Sequence, residues 1–269
     1  MLLPAFVTGT EPWYVHQGDS LEVTGQLPDG CLDAVITDPP YATTGESSAY
    51  VSSGIPTELQ FYEAWIREQM KEWVRLLKPS GAIWMTIDWR GALALEQACI
   101  RLGQRKPKIG IWDRQNLGMG YLLRNSYECF AIVPMLEFKR FRADEPDLWV
   151  HPWGPGDRQF GHSAEKPVEL YQRACDLIVP EGGLVMDPFC GTGTTGVAAL
   201  SHGYRFLGFE REPEYAETSR GRIKGTLLGK PGRNNRKRAD ADLEEEAAAQ
   251  ADQGDLFDIF SGEPDAPPA

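Results

Sequence analysis

Residues 186–200 read MDPFCGTGTTGVAAL. A short apolar run, GLVMD (183–187), leads into this stretch, and a run of small, helix-compatible residues leaves it. Gly191, Gly193 and Gly196 satisfy the GxGxxG spacing, which lets the backbone turn tightly between a strand and a helix and approach a ligand closely. The next apolar run, RFLGFE (205–210), ends in Glu210, an acid at the strand tip where a ribose diol can be held. No Lys-Ser/Thr pair follows the glycines, so a P-loop is excluded. Strand, glycine loop, helix and strand together set the expectation of a Rossmann-like α/β fold.

Working outward, the same alternation recurs. CLDAVIT (31–37) reads as a buried strand that delivers the chain into Asp38. Residues 42–57 are rich in Ser, Thr and Gly and read as a mobile loop. Thr57 and Gln60 form a capping-box pattern for the helix ELQFYEAWIREQMKEWVRLL (58–77), whose Phe61, Trp65, Gln69, Trp73 and Leu76 recur at helical spacing and read as core. KPSG (78–81) stops that helix, and AIWMTI (82–87) is the next strand. A helix over about 90–102 and strands near 108–112 and 128–135 follow, then helices near 166–178 and 194–202 and a last helix to about 228. Strands alternating with helices predict a mostly parallel sheet. Only one strand and one helix follow Glu210, so the rest of the sheet must come from the N-terminal half.

Charge is unevenly distributed over the 269 residues. From Asp240 to Ala269 there are ten acids and no Lys or Arg; removing them from the net charge of −12 leaves −2 on residues 1–239. That acidic, Ala/Pro-rich stretch reads as a disordered tail. Before it, Lys230, Arg233, Arg236, Lys237 and Arg238 read as a solvated basic linker, although such a run can touch phosphates. The expected organisation is therefore a catalytic domain over 1–228 and a basic-then-acidic tail over 229–269. Cys31, Cys99, Cys129, Cys175 and Cys190 show no CxxC spacing, which argues against a disulfide framework or zinc site and for a reducing cytoplasm. No secretory pattern opens the chain, and no apolar run has the length of a membrane span.

A second stretch, TDPPYATTG (37–45), carries more chemistry than a turn requires. Pro39 and Pro40 stiffen the backbone and remove two amide donors, holding Asp38 and Tyr41 in fixed relation. The glycine loop alone would suit a nicotinamide dinucleotide. Asp187 immediately before it is a poor neighbour for a pyrophosphate but a good partner for an amino acid's ammonium, which S-adenosyl-L-methionine carries together with a ribose.

DPPY (38–41), HSAEKP (162–167) and DPFCGTGTTGVAAL (187–200), in that order, resemble the DNA amino-methyltransferases acting on adenine N6 or cytosine N4, in the β-type arrangement with the catalytic motif before the cofactor motif. The resemblance runs from about Trp13 to Ile223. It implies a seven-stranded, mostly parallel sheet with one antiparallel strand in circularly permuted motif order, double-stranded DNA as partner, and release of S-adenosyl-L-homocysteine. It also implies cofactor contacts from Asp19 and Ser20 (in GDS, 18–20), Ser163, Lys166, Asp187, Phe189, Gly191, Thr192, Gly193, Thr194, Thr195 and Glu210. Asp19 reads equally as a turn acid. His162 reads as a packing or capping histidine, and Cys190 as a small packing residue.

The exocyclic amine of adenine or cytosine is a poor nucleophile, because its lone pair is delocalised into the ring. A carboxylate (Asp38) and a backbone carbonyl (Pro39) accepting its hydrogens favour a tetrahedral nitrogen aimed at the methyl group. Tyr41 would stack on a base extruded from the duplex. Ring-carbon methylation would need a Pro-Cys nucleophile, and none occurs. By the resemblance, Asp at the first motif position tilts the target to adenine N6 over cytosine N4. The rivals are a methyltransferase acting on RNA or on a protein glutamine, and a non-catalytic DNA-binding module. Residues 138–160, with Lys139, Arg140, Arg142 and Arg158 among aromatics, are expected to form the recognition segment at the rim where the catalytic and cofactor halves meet. A bacterial or phage cytoplasmic enzyme, monomeric or homodimeric and without membrane contact, completes the expectation.

Overall fold

The run LDAVIT is buried at all six positions, which a strand achieves only with helices on both faces of its sheet. The computed structural model describes residues 3–41, 58–118, 122–142, 144–160 and 165–227. Its eight strands are β1 (Trp13–Gln17), β2 (Leu32–Thr37), β3 (Leu77–Ile87), β4 (Lys108–Asp113), β5 (Tyr127–Pro134), β6 (Leu148–Val150), β7 (Leu184–Asp187) and β8 (Arg205–Glu210), in the order β1-β8-β7-β2-β3-β5-β4-β6. Only β5 runs antiparallel to its neighbours. The helices are α1 (Leu3–Thr8), α2 (Ser20–Val23), α3 (Leu59–Leu76), α4 (Trp89–Arg101), α5 (Val168–Ile178), α6 (Thr194–Ser201) and α7 (Pro213–Leu227).

Successive residues of β2 point to opposite faces and enter different cores. Val35 joins Tyr62, Ile66, Met70 and Trp73 of α3 and Leu95 and Ala98 of α4. Ala34 and Ile36 join Leu170, Tyr171 and Ala174 of α5, Ala198 of α6 and Ile223 of α7. The result is a Rossmann-like three-layer α/β fold with a mostly parallel sheet.

The sheet has eight strands where seven were expected. The extra one, β6, pairs three residues with the edge strand β4, too few to leave a periodic signal. Two boundaries also move. The N-cap of α3 is Glu58, without a side-chain cap, whereas the expected cap, Thr57, lies outside the described residues. KPSG does not separate helix from strand: α3 stops at Leu76 and β3 starts at Leu77. The register between β2 and β3 shifts there, passing from Leu32↔Leu77 to Ala34↔Ala82, so Pro79 sits in an irregular stretch where its missing N–H breaks no ladder. The 42–57 loop and the tail after 227 also lie outside the described residues.

β2 and β7 are neighbours, but the chain leaves them in opposite directions. From β2 it crosses by α3 to β3, and from β7 by α6 to β8. This is a topological switch point, where diverging loops open a crevice at the carboxyl ends of the strands. DPPY follows β2 and the glycine loop follows β7.

Candidate active site

Asp38 leaves the end of β2 and its carboxylate is held from two sides. Thr86 Oγ1, on β3, donates to Oδ1. Lys166 Nζ donates to Oδ2 at 2.7 Å. The Lys166 ammonium also lies 3.4 Å from Glu128 Oε2 and 5.0 Å from the centroid of the Tyr41 ring. Tyr41 Oη donates to Glu128 Oε2 at 2.6 Å, and Arg114 Nη1 donates to Glu128 Oε1 at 3.2 Å. Tyr62 of α3 donates to the carbonyl of Pro40 at 2.9 Å. Asp38, Pro40 and Tyr41 are thus clamped from β3, β5, α3 and the segment before α5.

Burial alone would raise the Glu128 carboxyl, but the Lys166 charge, the Tyr41 hydroxyl and Arg114 hold it below the ordinary glutamate value. Burial, followed by the charges of Asp38 and Glu128, pushes the Tyr41 hydroxyl well up, so it remains a neutral donor. Glu128, Thr86 and Tyr62 were not anticipated as site residues. A polar residue inside each otherwise apolar run, AIWMTI and YECFAIVP, is the signal that could have found the first two. Lys166, expected among the cofactor contacts, is hydrogen-bonded to the Asp38 carboxylate. Ser163 and His162 lie outside the described residues.

The second half of the site is joined to the first by one hydrogen bond across the switch point: Thr37 Oγ1 donates to Asp187 Oδ1 at 2.6 Å. Asp187 also accepts from the Phe189 N–H and the Thr195 hydroxyl. It is only 2% exposed, and desolvation raises its carboxyl to about 7 against the pull of those donors. A carboxylate offers about four acceptor positions, so three donors leave one for a ligand.

Beyond Asp187 the loop turns through Gly191 (φ 51°) and Gly193 (φ 88°). A Cβ on Gly193 would lie 2.5 Å from Ser219 Oγ of α7, so close packing as well as backbone angle requires glycine there. A Cβ on Gly191 would meet nothing, because the loop faces open space at that point. Glu210 accepts from the Gly191 N–H and the Glu212 N–H, both at 2.9 Å. Gly18 N–H donates to the Glu210 carbonyl, placing Asp19 and Ser20 beside this strand tip. The Asp19 carboxylate caps α2 through the Leu21 N–H, and Ser20 is buried. Phe189 packs on Trp65 and Trp73.

Thr192 and Thr194 are engaged from behind by Arg222 of α7, which donates to the Thr192 carbonyl at 2.9 Å and to both hydroxyls. Burial lowers the Arg222 guanidinium to about 10. It stacks 3.9 Å over the Phe160 ring and lies 4.0 Å from Glu165. Cys190, buried against Ser219, is a packing residue with its thiol pushed well up by desolvation. The arrangement offers a nucleoside cofactor an acid for a diol, an open glycine turn and one remaining acceptor on Asp187.

The 138–160 segment begins away from where it was expected. β5 runs against the other strands, so its last residues lie at their amino ends, with Ala82 opposite Pro134. Glu137 N–H donates to the Pro79 carbonyl and Phe141 N–H to that of Leu177, placing Lys139, Arg140 and Arg142 at the edge opposite Asp38. The chain then climbs along β6. It reaches the catalytic edge at Trp153, whose N–H donates to the Arg114 carbonyl. Of the four cations, only exposed Arg158 is on the catalytic side. Trp149 is fully buried against Trp84 and Phe130, and so belongs to the core.

Residues 139–221 match the N6_N4_Mtase family model, described as DNA methylase. The type II methyltransferase M2.MboI of Moraxella bovis is 24% identical over 246 residues, covering 81% of this chain and 90% of its own. Among solved structures, the cytosine-N4-specific PvuII DNA methyltransferase superposes with TM-score 0.65 at 18% identity, over 87% of this chain and 92% of that one. M1.HpyAVI in complex with SAM superposes with TM-score 0.60 at 20% identity, over 78% and 98%.

Proposed function

We propose that this chain is an N6/N4 DNA amino-methyltransferase that transfers a methyl group from S-adenosylmethionine to the exocyclic amine of a base flipped out of duplex DNA, and that the amine is adenine N6. The observation that carries the reading is the Thr37–Asp187 hydrogen bond, which joins the clamped Asp38–Tyr41 motif to the cofactor loop at one crevice.

In this reading the cofactor supplies an electrophilic methyl on a sulfonium, and the chain's own residues do the rest. Glu210 takes the ribose diol, with Asp19 and Ser20 beside it. Gly191, Thr192, Gly193, Thr194 and Thr195 form the turn against which the cofactor lies, Phe189 walls it, and the last acceptor position of Asp187 takes the ammonium. The Asp38 carboxylate and the Pro39 carbonyl accept the two amine hydrogens, and Tyr41 stacks on the base. Lys166 and Thr86 prevent Asp38 from rotating away, so orientation is settled before the substrate arrives. No covalent enzyme intermediate would be needed: a methyl carried on a sulfonium can pass directly to the amine, its bond to sulfur breaking as the bond to nitrogen forms, and Asp38 would be the nearest acceptor for the amine proton.

The test is incubation with labelled S-adenosylmethionine and duplex DNA, digestion to nucleosides, and sequencing of modified positions. Label in N6-methyladenine at a defined motif supports the reading. N4-methylcytosine would move the target to cytosine, and label only in RNA or protein would overturn the DNA assignment.

A further inference from the structure

The described limbs of the hairpin between β4 and β5, residues 114–118 and 122–126, stand at the catalytic edge, because β4 ends and β5 begins there with Asp113 opposite Tyr127. They carry the two most exposed large apolar side chains of the described residues, Leu122 at 88% and Leu123 at 86%. The limbs are tied together. Arg114 N–H donates to the Ser126 carbonyl at 2.9 Å, and Gly118 N–H to that of Asn125 at 2.6 Å. Arg124 folds back to donate to the carbonyls of Leu117 and Gly118, and the Arg114 guanidinium reaches both Asn125 and Glu128. The arginines therefore brace the loop, and leucines are what it presents to solvent. Its root, through Glu128, is continuous with Tyr41.

We infer that this hairpin is an apolar wedge: Leu122 and Leu123 enter the base stack of duplex DNA beside the target and hold open the space that the flipped base leaves. The inference rests on the proposed DNA substrate and names the element that engages it. Three observations favour DNA as the occupant. The leucines lie at the edge where Asp38 and Tyr41 emerge. The braced limbs fit a side chain that must push between stacked bases, a role for which apolar residues are suited. Arg158, on the segment hydrogen-bonded to the hairpin root at Trp153, is an exposed cation placed to meet a neighbouring phosphate.

The experiment uses duplex oligonucleotides built around a methylation site mapped with the full chain. In one the target base is paired; in the other the opposite nucleotide is abasic, so nothing has to be pushed aside. The Leu122→Ala/Leu123→Ala variant is expected to lose about tenfold or more in kcat/KM on the paired duplex, and to recover to within about threefold of the unmodified chain on the abasic one. S-adenosylmethionine affinity should be unchanged. Equal turnover of variant and parent on the paired duplex would overturn the wedge, as would an equal loss on both duplexes. A variant that sediments as monomer where the parent is a dimer would make the surface a contact between copies of this chain and overturn it as well. If the parent methylates no DNA at all, the proposed function fails first, a result distinct from all of these.

Discussion

At the scale of single residues, the site is held by carboxylates whose partners set their roles. On the proposed mechanism, in which the Asp38 carboxylate faces the amine, Asp38→Ala should reduce methyl transfer by more than about a hundredfold while leaving S-adenosylmethionine binding within about twofold. Lys166 separates two assignments: as a brace on Asp38 and Glu128, its Lys166→Met variant should lose kcat with little change in cofactor affinity. A titration showing the reverse would return Lys166 to the cofactor. Asp187 gives a pH signature. Its carboxyl moves from an ordinary 3.8 to about 7 on folding, so the folded state holds the proton more tightly. That contribution is fully present below about pH 4 and lost as pH rises through about 7, a difference on the order of a few kcal/mol. Asp187→Asn, uncharged throughout, should raise the Tm relative to the parent at pH 8 but not at pH 4, and should weaken cofactor binding. A Tm difference independent of pH would show that the buried carboxyl does not titrate in this range.

At the scale of elements, the direction of one strand relocates a functional surface. Because β5 is antiparallel, the chain leaving it emerges at the edge opposite the catalytic crevice, and Arg140 and Arg142 go with it. The Arg140→Ala/Arg142→Ala variant is therefore expected to show an unchanged salt slope for DNA binding. Arg158→Ala, on the catalytic side, should lower the slope by about one, as loss of one phosphate contact does. Fluorescence anisotropy over a salt series measures both. A slope lowered by about two in the double variant would mean that the duplex reaches the amino edge of the sheet.

At the scale of the whole molecule, the ten acids from Asp240 onward account for most of the net charge of −12, and on a polyanionic substrate they would act as a repelling field. Truncation after residue 239 should leave turnover intact and tighten DNA binding, most visibly at low salt. Loss of the far-UV circular dichroism signal in the truncated chain would show instead that the tail is part of the folded unit.

The sequence by itself determined the strand–glycine loop–helix unit, the alternation that makes the sheet mostly parallel, and the identity of Asp38, Asp187 and Glu210 as acids at strand ends. These are local properties: a buried strand needs an unbroken apolar run, and a tight turn against a ligand needs glycine at fixed spacing. Glu128, Thr86 and Arg222 were not legible in the same way, since each acts on a partner 87, 48 or 30 positions away, as Glu128 does on Tyr41, Thr86 on Asp38 and Arg222 on Thr192. Nor could spacing show that Lys166 would close on Asp38, 128 positions earlier, or that the 138–160 segment would begin at the wrong edge for catalysis. Strand order and direction decide those things, because they follow from how separate runs pair and not from the composition of any one of them.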